Sequence, residues 1–185
     1  VGGDFSTYDP GGSPIADATN LAVWDGAWME VTGVTSPLND AVTALGIDAA
    51  NNILYFGGSF TDVNGDGTAD KIAGIDFDTS ALVTLGNDGG GGGSLNASVV
   101  AIGLDSSGNV YAGGYFTNVN NGGTSLTEAD YIAKWDGADW SALGNNGAGV
   151  GALNSYVYAI AIDGSNNVYA GGPFSDAAGI ATADF

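Results

Sequence analysis

Apolar and polar residues alternate in short runs along this chain, and the runs come in pairs separated by turn residues. Val157-Tyr158-Ala159-Ile160-Ala161-Ile162-Asp163 alternates, Gly164-Ser165-Asn166-Asn167 is turn chemistry, and Val168 to Phe174 returns. Alternate residues of a strand share a face, so this spacing predicts an antiparallel hairpin. Val42 to Asp48 with Asn52 to Phe60, and Val99 to Asp105 with Asn109 to Phe116, predict the same hairpin twice more. A polar loop and a second pair of runs follow. In the later copy these are Ile132 to Trp135, an Asp136-Gly137 turn, and Trp140 to Gly144. The earlier copies are Leu21 to Trp24 with Trp28 to Val31, and Ile72 to Phe77 with Ala81 to Gly86, the last more loosely patterned. No stretch combines a helical apolar period with caps, so the chain is predicted to be all-β.

The second strand of each first hairpin ends in Gly-Gly-x-Phe, at Gly2 to Phe5, Gly57 to Phe60, Gly113 to Phe116 and Gly171 to Phe174. Aligned on the preceding residue (Val1, Phe56, Ala112, Ala170), the copies are 55, 56 and 58 residues apart. The chain is therefore one repeat domain, 1–185, with units 1–55, 56–111 and 112–169 and a partial unit 170–185. Four-stranded meanders at a period of about 56 residues predict a β-propeller-like array of four-stranded antiparallel blades. Glycine inside a strand marks either close backbone approach, as where blades crowd an axis, or a β-bulge in a stacked array.

Counted from the Val-x-Ala strand, complete blades span about 41–86 and 99–144, and the array is incomplete at both ends. Joining the ends gives about three blades, below the usual four to eight. Two expectations follow. The chain, which starts without Met and inside a motif, is a segment of a longer product; or its C-terminal half-blade completes a blade of a neighbour. Strand addition of that kind, repeated head to tail, builds rings or filaments.

Composition narrows the partners. There are 21 acidic residues against two basic ones, Lys71 and Lys134, and the formal net charge is −19. Such a surface repels nucleic acid and anionic membranes. No run of eighteen apolar residues is present to span a bilayer as a helix. Cys and His are absent, which removes disulfides, thiolate nucleophiles and the commonest general base. Hydrophobic content of 44% is enough to fill a core despite 33 glycines.

Val-Tyr-Ala-Gly-Gly-x-Phe, a Gly/Asn loop and Ile-Ala-Lys-Trp-Asp-Gly-x-x-Trp together resemble the β-propeller repeats of bacterial and phage surface proteins. Similar repeats occur in the so-called delta-60 group and in a fungal cortical polarity marker. The resemblance covers nearly the whole chain and is weakest around Asp76 to Leu85. It implies a propeller in an extracellular setting and no catalytic residues.

The sharpest local signal is Asp62-Val63-Asn64-Gly65-Asp66-Gly67-Thr68-Ala69-Asp70. Oxygen-bearing side chains at loop positions one, three, five and nine, with glycine at six, can wrap one Ca²⁺; the Thr68 carbonyl adds a fifth ligand. Position twelve is Ala73, not glutamate, so this is not an EF-hand; it is similar to the calcium loops of dockerins and FG-GAP repeats. The alternative is an Asp/Asn/Gly turn without an ion. The matching loop at Asn118 to Gly123 has no carboxylate. An Asp recurs before each third strand (Asp17, Asp70, Asp130, Asp184), where it is expected to accept backbone N–H bonds, with ligand duty only at Asp70.

Trp24, Trp28, Trp135 and Trp140 flank the hairpin turns, and offer either faces for stacking on sugars or cross-strand packing. No carboxylate pair stands out for glycoside hydrolysis, and Asp88 to Gly93 is a flexible Gly-rich loop without the lysine of a phosphate cradle. Asn96-Ala97-Ser98 is a glycosylation sequon. The expected function is non-enzymatic: a subunit of an extracellular surface fibre or appendage, self-associating head to tail by strand complementation, with one calcium loop. The alternative is a glycan-binding adhesin module of a larger propeller protein.

Overall fold

The computed structural model describes residues 1–5, 19–175 and 177–180. Among them there is no α-helix; the secondary structure is strand, with one 3₁₀ turn at Val63–Gly65. A short pair comes first, β1 (Val23–Trp24) and β2 (Trp28–Met29). A meander follows: β3 (Val42–Asp48), β4 (Ile53–Gly58), β5 (Ile72–Asp76) and β6 (Ala81–Thr84). The next unit contains β7 (Val99–Leu104), β8 (Val110–Gly114), β9 (Val119–Asn121), β10 (Thr124–Leu126), β11 (Ile132–Trp135) and β12 (Trp140–Ala142). The last pair is β13 (Ala159–Ile162) and β14 (Val168–Gly171).

Two complete four-stranded antiparallel sheets result, β3-β4-β5-β6 and β7-β8-β11-β12, flanked by the two-stranded β1-β2 and β13-β14. Among the described residues no strand of the last pair is hydrogen-bonded to a strand of the first. One element was not predicted. The polar loop at Asn118 to Gly123 carries the small hairpin β9-β10, with Thr124 opposite Asn121. Gly122 and Gly123 turn it with φ of 56° and 97°, a region costly for residues with a Cβ.

The two glycines of the pair have different neighbours. The register of β3 on β4 slips between Val42 and Ala44, and that of β7 on β8 between Val99 and Ala101. At this bulge the second glycine faces a carbonyl: a Cβ on Gly58, Gly114 or Gly172 would run into the backbone oxygen of Ala41, Ser98 or Tyr156. The first glycine serves the next sheet. A Cβ on Gly57 would stand 2.6 Å from Val99 Cγ1, and one on Gly113 would stand 2.6 Å from Val157 Cγ1. Close packing of sheet on sheet therefore needs a missing side chain here.

The core lies between successive sheets. Leu54, Phe56, Ala73 and Ile75 are buried against the first-unit residues Leu21, Val31 and Val34. Tyr55 and Ile72, on the opposite face of the same strands, are buried with Val99, Val110, Phe116 and Trp135. Both faces of β4 and β5 are thus covered, and these strands read as near-continuous apolar runs. Polar clamps repeat alongside. The Asn39 side-chain Oδ1 accepts from Thr61 N–H at 2.9 Å, Asn96 Oδ1 from Thr117 N–H at 2.9 Å, and Asn154 Oδ1 from Ser175 N–H at 3.0 Å. Asn96, the sequon residue, is therefore already part of the fold.

Candidate functional site

The loop from Asp62 to Asp70 is closed by its own hydrogen bonds. Asp62 and Asn64 adopt left-handed φ of 54° and 56°, which short polar side chains tolerate. Asn64 spans to the neighbouring loop: its oxygen accepts from Thr35 N–H at 2.7 Å and its amide donates to the Gly33 carbonyl at 2.7 Å. Asp66 Oδ1 accepts from both the N–H and the hydroxyl of Thr68, at 2.9 and 2.7 Å, and the Thr68 hydroxyl bond is the main cause holding its carboxyl below the usual range. Asp70 Oδ1 accepts the Asp62 N–H at 2.8 Å. Among the described residues no three acidic side chains gather closely enough to hold a metal. For Ca²⁺ to be wrapped by Asp62, Asn64, Asp66, Thr68 and Asp70, the Asn64 oxygen would have to share or release the Thr35 N–H, whereas both bonds to Asp66 fall on Oδ1.

The recurring aspartates act on the backbone. Asp70 joins Asp62 N–H to Gly93 N–H (3.4 Å), and Asp130 joins Asn118 N–H (2.9 Å) to Gly151 N–H (3.3 Å). Each therefore ties its own loop to the following linker, the turn-forming role expected of it. Asp17 and Asp184 lie outside the described residues. A second set sits at the hairpin turns. Asp163 accepts from Ser165 and Asn167 N–H, the Asn167 amide and the Tyr169 hydroxyl. The Asn167 amide is the first cause lowering its carboxyl from 3.8 to about 2. At Asp105 burial pushes the pKa up, and bonds from Asn109, Ser107 and Tyr111 outweigh it, so the net shift is downward. The Gly-rich segment expected to be flexible is also pinned: Asp88 Oδ1 accepts Gly90 and Gly92 N–H at 2.7 and 2.8 Å.

The four tryptophans divide. Trp135 and Trp140 are buried, with centroids 5.6 Å apart, and Trp140 Nε1 donates to the Leu85 carbonyl of the preceding sheet at 2.6 Å. These two pack the interior. Trp24 pairs edge-on with Trp28, with centroids 5.4 Å apart, and is 59% exposed. Tyr115, Tyr156 and Tyr158 form a further half-exposed aromatic cluster, with Tyr115 and Tyr156 centroids 4.7 Å apart. Sequence reasoning did not single out these tyrosines, because they stand where the preceding unit has Ser59, Ser98 and Val100 and so fall outside the repeat pattern.

Among the described residues, two faces of the repeat have no further sheet packed on them. Ile102 and Leu104 of β7 lie on Gly46 of β3, and Ile160 and Ile162 of β13 lie on Gly103 of β7. The matching residues at the start, Leu45 and Ile47, are 39% and 60% exposed. At the other end Tyr169 is exposed, whereas its counterparts Tyr55 and Tyr111 are buried. A scan against protein-family models finds no match to this chain, and no curated protein matches it. No helix among the described residues is long and apolar enough to cross a membrane.

Proposed function

We propose that this chain is a non-enzymatic structural protein of the cell exterior, its four-stranded sheets being propeller-type blades that assemble between copies into a surface fibre or appendage. The observation that carries this is the repeated docking of one sheet on the next, β7 on β3 and β4, then β13 on β7 and β8. A packing rule that needs only the neighbouring unit extends across molecules as readily as within one. The carboxylates support a structural role: Asp48, Asp70, Asp105, Asp130 and Asp163 all accept backbone N–H bonds. Calcium in the 62–70 loop belongs to the same reading, as an ion that stiffens one loop. A net charge of −19 makes nucleic acid and anionic membranes unfavourable partners.

Negative-stain electron microscopy of the protein, with and without a calcium chelator, tests this. Filaments or rings are expected; monodisperse single particles under both conditions would overturn it. A glycan-binding adhesin module is the second reading, favoured by the exposed Trp24 and the tyrosine cluster. It predicts single particles whose Trp fluorescence responds to sugars.

A further inference from the structure

We propose that the apolar cavity at the first-unit end receives the β13–β14 hairpin of a second copy of this chain. The inference rests on the assembly reading above and names the two surfaces that meet. The cavity, ≈330 Å³, is lined among others by Trp24, Leu45, Ile47, Leu54 and Phe77. Ile47 and Trp24 are 60% and 59% exposed.

The occupant is read from the two junctions the molecule already contains. A Cβ on Gly46 would lie 2.6 Å from Ile102 and 2.5 Å from Leu104; one on Gly103 would lie 2.6 Å from Ile160. In each junction a branched pair from the first strand of one sheet presses onto a flat, small-residue strip of the sheet before it. Leu45 and Ile47 are that branched pair without a strip. Among the described residues the unused strip is on β13–β14: Ala159 and Ala161 are exposed, and a Cβ on Gly171 would meet Ala159 Cβ alone, at 3.9 Å. Gly171 thus has the open space that Val99 fills at Gly57 and Val157 fills at Gly113.

Two details set the strength of the contact. Ala161 stands where Gly46 and Gly103 stand, so β3 of the receiving copy sits off by about a methyl group at that point, giving a looser, reversible junction. Val1 to Gly3 also occupies the strand position of Ala170 to Gly172, with Ala22 N–H donating to the Val1 carbonyl at 2.9 Å. The incoming hairpin displaces this segment and offers the same Gly-Gly backbone in its place, an exchange of like for like.

Ile47→Lys puts a charge in the cavity, and Ala161→Lys puts one on the strip. Both positions are exposed, so both variants keep the fold, checked by circular dichroism and Tm. In sedimentation velocity the wild-type chain should associate in a concentration-dependent way, and each variant alone should associate at least about tenfold more weakly. Mixed together they should form a one-to-one dimer and stop there, because each retains one of the two surfaces. If the wild type associates and the variants associate equally well, this interface is overturned while self-assembly stands. If the wild type stays monomeric, the assembly reading fails with it. A monomer whose Trp24 is shielded from acrylamide quenching would place residues of the same chain in the cavity, which also overturns the proposal.

Discussion

Gly57 and Val99 belong to successive sheets, and a single methyl on the glycine would sit 2.6 Å from Val99 Cγ1. That distance is inside any real carbon contact, so the spacing of the two sheets is set by the absence of a side chain. Gly57→Ala is expected to destabilise the protein by about 1–3 kcal/mol through overpacking, and Gly113→Ala by a similar amount. Gly171→Ala, which among the described residues meets Ala159 alone at 3.9 Å, should leave the Tm of the unassociated chain nearly unchanged. Thermal unfolding of the three variants checks this; equal losses at all three positions would mean that the glycines serve the strand and not the junction.

Trp140 ties the outer edge of its sheet to the sheet before it through the Leu85 carbonyl. Trp140→Phe keeps most of the ring but leaves a buried carbonyl without its donor, at a cost of about 1–3 kcal/mol. Trp24→Phe, at an exposed position, should cost under about 0.5 kcal/mol. Denaturant midpoints of the two variants measure the difference.

Acid should unfold the protein at unusually low pH. The folded-state pKa of Asp163 is lowered to about 2 from 3.8, so its contribution is fully present above about 4 and lost as pH falls toward 2. The carboxyls of Asp66, Asp76, Asp88, Asp105 and Asp136 are shifted in the same direction. Tm is expected to drop across this acid range, and Asp163→Asn to flatten part of the decline. A decline already complete near pH 5 would contradict these shifts.

Calcium binding at the 62–70 loop is expected to be weak, with Kd of about 10⁻⁴–10⁻³ M, since the Asn64 oxygen is already bonded to Thr35 N–H and position twelve is Ala73 instead of glutamate. Millimolar Ca²⁺ should raise Tm slightly, and Asp62→Asn should abolish the rise. No response of the wild type to Ca²⁺ or to a chelator removes the ion from the picture.

Each copy carries a formal charge of −19, so copies repel one another at low ionic strength. Self-association through an apolar junction should therefore strengthen as salt screens that repulsion. Sedimentation at low and high salt reads this directly, and an association weakened by salt would indicate a charge-driven contact instead.

Much of the local structure was legible from residue order. Two-residue alternation placed the hairpins Val42 to Phe60 and Val99 to Phe116 within a residue or two, because each strand's register and turn are set by neighbours in sequence. The roles of Asp70 and Asp130 were legible for the same reason: a short acidic side chain at a turn has backbone N–H groups within reach. The β9-β10 hairpin was hidden, since its residues Val119 to Leu126 are mostly polar and lack an alternating apolar face. The 62–70 loop shows the same limit from another side. Its spacing names oxygen donors, but only packing against Gly33 and Thr35 decides where Asn64 spends its own.

What the sequence determined by itself is the repeat, the strands and the turns, all governed by interactions within a few residues. Tertiary structure decided which of two equivalent positions is a contact and which is a surface. Trp135 and Trp24 carry the same residue in the same pattern, yet one is buried under Gly86 of the preceding sheet and the other is 59% exposed. The same holds for Tyr111 and Tyr169, and for Leu104 and Ile47. A side chain's burial depends on what stands opposite it, and in a repeat the opposite partner comes from about 56 residues away along the chain.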